Sequence, residues 1–217
     1  IAAIINHNAN RNWKEKNIRF GWFDFIDDIN VSRKLLEAVG KWGIECGMER
    51  ISGPWGFTDM DKEGLLTEGF DQLQSITTLY NYPYYSKHLE QLGFVKDVEW
   101  VQMKLDLPQV KNPKFEKFDT IICEKYGLSI LKPKNKKELI GRAKEIFKVL
   151  NDSYCVLHEF SKLNEEQINT YIAQYIPLIN IELIGLIVDS DNRIVGLLGD
   201  ERYHVLSYNA FKRSSLE

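Results

Sequence analysis

A mixed-sheet α/β fold is predicted by three features of the sequence. A strand–helix–strand unit runs from Ile18 to Ser52, two amphipathic stripes follow in the second half, and two apolar runs flank an acidic turn at Asp189–Asn192. Ile18–Ile26 (Ile-Arg-Phe-Gly-Trp-Phe-Asp-Phe-Ile) is dense in aromatic and β-branched residues and predicts a central strand. Leu35, Val39, Trp42 and Cys46 recur at helical spacing, with Asp28, Asn30 or Ser32 to cap the start and Gly47 to end the helix. Arg50–Ser52 is a short strand before Gly53-Pro54. A strand, helix and strand in that span form a βαβ unit, which implies parallel pairing and a right-handed crossover.

Ahead of this unit, Ile1–Ile5 reads as a buried strand and Asn6–Lys16 as a loop. After it, Pro54–Tyr82 is a long Gly- and Asp-rich connection of the kind that is usually functional or mobile. Tyr84–Leu92 predicts a short helix ending at Gly93, and Val98–Leu107 a strand. Pro108–Lys117 lacks an apolar period and reads as a linker, dividing the chain into domains 1–107 and 118–217. In the second domain Gly127–Leu131 reads as a strand. Leu139, Ala143, Ile146, Leu150 and Tyr154 mark one helix; Ile168, Tyr171, Ile172, Tyr175 and Ile179 mark another. Glu182–Val188 and Arg193–Leu197 form a hairpin, for an order β-α-α-β-β.

Composition narrows the function. With 217 residues, 44% of them hydrophobic and 27% charged, the chain is globular. A net charge of −3 gives no basic excess for nucleic acid, and the apolar runs fall far short of the ~20 residues of a membrane span. Cys46, Cys123 and Cys155 form no CxxC pair and read as reduced thiols of a cytoplasmic protein. The four histidines have no zinc spacing, so no metal is expected there. Without GxSxG, GxxxxGK[ST] or GxGxxG, a hydrolase, a P-loop enzyme and a Rossmann dehydrogenase lose support. Asp59-Met-Asp61-Lys-Glu63-Gly64 resembles the opening of an EF-hand loop, but Phe70 stands where its bidentate Glu belongs.

Two constellations remain. Asp24, Asp27 and Asp28 gather at the C-terminal edge of the aromatic strand, where open α/β sheets bind ligands; Asp28 and Asn30 suit helix capping equally well. Tyr80, Tyr82, Tyr84 and Tyr85 precede Lys87 and His88, and phenols can donate a proton or stack on a ligand.

Element order, the helix ending Leu89-Glu-Gln-Leu-Gly93-Phe94, and the segments Asn6-His7, Phe20–Asp28, Gly53–Asp61 and Tyr80–Tyr85 together resemble the GNAT acyltransferase superfamily, within a group of bacterial proteins carrying two GNAT-like domains in tandem. The resemblance covers residues 1–200 and implies the C-terminal part of one such domain followed by the N-terminal part of another. It implies an acetyl-CoA- or acyl-CoA-dependent N-acyltransferase acting on a small amine, with a homodimer as a possible assembly. Asp24 or a bound water would take the amine proton, and Tyr85 would be the acid, since Leu89 stands at the family's usual tyrosine. Phe25, Ile26, Asp28, Asn30 and Ser32 would line the cofactor site, and Asp59, Tyr82, Tyr84 and His88 the substrate pocket. Asp27–Ser32 lacks the family's glycine-rich diphosphate loop and adds two carboxylates, which supports a second reading as a catalytically degenerate ligand-binding module. A third is an unrelated α/β enzyme built on the acidic Pro54–Phe70 loop.

Overall fold

The computed structural model describes residues 1–73, 79–101, 113–199 and 211–215, with residues 198–199 and 211–215 as backbone alone. In chain order the elements are β1 (Ala2–Ile4), α1 (His7–Trp13), β2 (Asn17–Gly21), α2 (Ile29–Glu45), β3 (Arg50–Ser52), α3 (Tyr84–Gln91), β4 (Val95–Val98), α4 (Pro113–Tyr126), β5 (Ser129–Leu131), α5 (Lys136–Tyr154), α6 (Glu165–Tyr175), β6 (Ile184–Val188), β7 (Ile194–Gly199) and β8 (Phe211–Ser215). The protein is mixed α/β, and its described residues form two compact units. The first takes in the residues up to 101 together with 158–161 and 211–215; the second takes 113–157 and 162–199.

The first unit is built on a five-stranded sheet in the order β1-β2-β3-β8-β4. The βαβ expectation holds: β2 and β3 pair in parallel, with Ile18 opposite Ile51, and α2 crosses between them. The remaining pairings are antiparallel. Ile18, Phe20, Ile51, Leu36, Val39, Leu89 and Phe94 make the core between this sheet and helices α2 and α3.

Several expectations need correcting. The buried stripe of α2 is Ser32, Leu36, Val39, Gly40 and Gly43, while Trp42 and Cys46 face solvent. Small residues set this rotation: a Cβ on Gly43 would lie 2.9 Å from Cγ2 of Ile18, so the glycine lets the helix lie close on β2. Asn6–Lys16 is not a loop, because Asn6 caps α1 by accepting from the amides of Asn8 and Ala9. The opening strand is a partly exposed edge rather than a buried strand. β2 stops at Gly21, because Trp22 turns the chain with φ of +44°. β4 ends at Val98, and residues 102–107 lie outside the described residues.

The second unit holds the antiparallel sheet β5-β6-β7, with α5 and α6 between β5 and β6 along the chain, the expected β-α-α-β-β order. Leu139, Ala143 and Ile146 of α5 pack with Leu186, Val188 and Ile194 of the sheet. Asn135 caps α5, and Asn164 with Gln167 forms a capping box on α6. Residues 113–117 of the expected linker open α4, with Pro113 at its first position. Among the described residues no helix is long and apolar enough to cross a membrane.

Candidate functional site

Side chains alternate across a strand, so β2 presents Ile18 and Phe20 to the helical core and Asn17 and Arg19 to the opposite face. Each face carries its own polar cluster.

On the helical side the chain leaves β2 at Trp22, buries Phe23 and Phe25, and reaches α2 through Asp27 and Asp28. Helix α3 lies against this passage and presents Tyr84, Tyr85 and, one helical turn on, His88. The Tyr85 phenol donates to the Asp24 carboxylate. Burial, helped by that carboxylate, pushes the phenol above its ordinary range, so it keeps its proton. The Tyr84 hydroxyl donates to the Phe25 carbonyl at 2.6 Å. His88 bridges two groups: Nε2 lies 3.0 Å from Asp27 Oδ1 and Nδ1 lies 3.0 Å from Ser32 Oγ. In the neutral imidazole the carboxylate takes the Nε2–H, and Nδ1 accepts from the Ser32 hydroxyl. The Phe25 ring packs against Tyr85 and His88, with centroids 4.3 and 5.3 Å apart.

The structure therefore brings Asp24, Phe25, Ser32, Tyr84, Tyr85 and His88 together and adds Asp27. It leaves others at the margin. Ile26 is exposed, and Tyr82 is exposed but stacks flat on Tyr84 with rings 5.7 Å apart. Asp28 caps α2, accepting the Asn30 amide at 2.9 Å, and the Asn30 side chain also donates to it. Phe25 cannot offer free backbone to a ligand, because its N–H faces Tyr85 Oη and its carbonyl is taken by Tyr84. Ser32 is fully buried.

Asp59 sits apart from this cluster, in the electrostatic reach of Arg19 on the other face of β2. Arg19 lies 4.4 Å over the Trp55 ring and donates to the Glu159 carbonyl at 2.9 Å and its carboxylate at 3.4 Å. The side chains of this ion pair are each only 3% exposed. Asn17 Nδ2 donates to Glu159 Oε2 at 3.1 Å and to Ser52 Oγ at 2.7 Å, and Trp55 Nε1 donates to the same Ser52 oxygen. Burial pushes Glu159 up to about 7 and Asp59 up to about 6, each against the pull of Arg19. Burial and the neighbouring Asp59 carboxylate push Glu63 to about 9. Asp61, the middle acid of the EF-hand-like run, caps a turn by accepting the Phe57 and Thr58 amides. Among the described residues no group of three or more His, Cys, Asp or Glu is arranged to hold a metal ion.

No motif singles out Arg19, Asn17 or Glu159, and Glu63 enters only as the third acid of the EF-hand-like run. One signal was present: a charged residue at the centre of Asn17-Ile-Arg-Phe-Gly21 marks the second face of that strand as polar. Glu159 carried no such signal, since it comes from a part of the chain 140 residues away.

No family model matches the chain, and no solved structure matches it. Protein YghO of Escherichia coli (strain K12) is 36% identical over 91 residues, a stretch covering 41% of this chain and 23% of that protein. The match thus spans less than a quarter of the relative's length.

Proposed function

We propose that the helical-side cluster carries acyl transfer, moving an acetyl or other acyl group from an acyl-CoA to a small amine in the manner of the GNAT superfamily. The observation that carries this reading is the hydrogen bond from Tyr85 to Asp24 at the end of β2. Acyl-CoA supplies an activated thioester. Transfer forms a C–N bond, breaks the C–S bond, and moves one proton from the amine to the departing thiolate. Asp24 is suited to take the amine proton, and Tyr85, held protonated, to supply one to sulfur. Because the two are hydrogen-bonded, Asp24 can return its proton to Tyr85, which resets the pair. The run of strand, amphipathic helix, parallel strand, Leu-Gly-Phe-ended helix and strand further supports a GNAT-like fold for the first unit.

The fit is uneven. The N-terminus of α2, where a diphosphate would find free amides, is closed by the Asp28 carboxylate, with Asp27 beside it. This favours a second reading, a GNAT-like module that binds a small ligand and no longer catalyses. Calorimetric titration with acetyl-CoA, followed by mass spectrometry of a panel of amines, separates the two. Binding with acylated product that is lost in Tyr85→Phe and Asp24→Asn supports transfer. Absence of both heat and product overturns it and leaves the binding module. If replacing Asp27 and Asp28 by Gly and Ala brings no gain in acetyl-CoA affinity, charge repulsion at α2 is refuted.

A further inference from the structure

The Arg19 face of β2 holds a feature that acyl transfer does not use. His158, Glu159, Phe160 and Ser161 belong to the first compact unit although the chain on either side of them does not. This stretch is seated by specific contacts. Trp13 Nε1 donates to the Phe160 carbonyl at 3.1 Å, the His158 ring stacks 6.3 Å from Trp55, and His158 Nε2 lies 2.9 Å from Asp97. At its centre Glu159 takes φ of +53°, strained for a residue with a Cβ, and buries its carboxyl against Arg19 and Asn17.

Hydrogen-bond bookkeeping identifies the protonation state that suits this site. Asn17 is 1% exposed, and among the described residues no donor reaches its Oδ1. Its own Nδ2 already points at the Glu159 carboxyl and Ser52. An ionised Glu159 accepts from Arg19 and Asn17 but adds no donor for Asn17 Oδ1. A protonated Glu159 brings a donor beside the same carboxamide.

We propose that residues 158–161 form a proton-held strap over the Arg19 face of β2: it docks with Glu159 protonated and loosens as Glu159 ionises, uncovering Arg19 and Asn17. The charged groups facing Glu159 are consistent with this. Arg19 of β2 and Arg50 of β3 favour the ionised form, Glu15 opposes it, and burial outweighs them all, which holds the carboxyl at about 7. Asp59 and Glu63 further occupy the field of Arg19. The sign follows: a carboxyl raised on docking stabilises the docked state at low pH, and that stabilisation is lost as pH rises through the docked value.

The test is hydrogen exchange of the intact chain, read as protection factors for the amides of 158–161 after correction for intrinsic rates. Moving Glu159 from an ordinary 4.5 to about 7 weakens docking about 30-fold between about pH 5.5 and about pH 8.5. Wild type should lose protection by that factor. Glu159→Gln, a neutral mimic of the acid, should stay protected at both values, and His158→Gln should keep the wild-type slope if Glu159 is the sensor. Equal slopes in wild type and Glu159→Gln, a flat His158→Gln, or an unprotected strap in Glu159→Gln at both values would each overturn the proposal. Loss of acetyl-CoA binding has no bearing on it, because Asp24 and Tyr85 are on the other side of β2.

Discussion

Replacing Arg19 by Met is the sharpest probe of how the first unit is held together. The guanidinium acts on Glu159, Asp59 and Glu63 together, and it lies over Trp55. At about pH 8.5 Glu159 and Asp59 are ionised, and removing Arg19 leaves a buried charge uncompensated, at a cost of about 3–5 kcal/mol. At about pH 5 all three carboxyls are largely neutral, so what is lost reduces to the bonds to the Glu159 and Phe57 carbonyls and the contact with Trp55, about 1–2 kcal/mol. The destabilisation should therefore grow by about 1–4 kcal/mol from acid to base. All five tryptophans (Trp13, Trp22, Trp42, Trp55 and Trp100) lie in the first unit, so urea unfolding followed by tryptophan fluorescence reports on that unit. Adding Glu159→Gln should restore part of the loss at the higher pH and little at the lower. A loss of the same size at both pH values, or below about 1 kcal/mol at pH 8.5, would refute the charge assignment.

The same packing and hydrogen bonds set three further outcomes. Tyr85→Phe removes the donor to Asp24 and should cost about 1 kcal/mol in the same urea assay, while abolishing acyl transfer if the proposed reading is right. Gly43→Ala pushes a methyl toward Ile18 and should destabilise by about 1–3 kcal/mol, against the usual gain from alanine in a helix; a stabilised variant would show that α2 is not seated as described. Asp28→Ala removes the α2 cap and should cost about 0.5–2 kcal/mol, with Asp28→Asn close to wild type.

How much of this was legible in the sequence depends on how local the cause is. The βαβ unit, the Gly47 C-cap with φ of +74° and the β-α-α-β-β order follow from propensity and spacing within short windows, and they are present. The rotation of α2 escapes an apolar count because Gly43 is buried for closeness rather than hydrophobicity. The α1 helix was missed because an asparagine run has little apolar period and one capping side chain decides the turn. Asp24 and Tyr85 were each visible as candidates, but their pairing is a tertiary fact, set by Trp22 turning the chain so that residues 61 apart meet. For the same reason Asp59 was misplaced with Tyr82, Tyr84 and His88. It follows β3 in the sequence, but it lies within the electrostatic reach of Arg19, one register step from Phe20 and therefore on the other side of the strand.

That single register step also bears on why the Arg19 cluster exists. β2 gives Ile18 and Phe20 to one face and Asn17 and Arg19 to the other, with Gly21 adding no side chain. The Ile18 and Phe20 face is fully apolar and accounts for packing against α2 and α3. Nothing in that packing calls for an arginine on the reverse side. Buried ion pairs of this kind are commonly neutral or unfavourable relative to apolar residues of the same volume. Here burial holds three carboxyls in the field of Arg19 above their ordinary range, even with Arg50 also acting on Glu159. Stability at neutral pH is therefore a poor explanation for the cluster, and proton uptake is a better one. Glu159 is the member whose change of charge falls near neutrality and whose backbone is strained, so a proton there governs a contact that its conformation already disfavours.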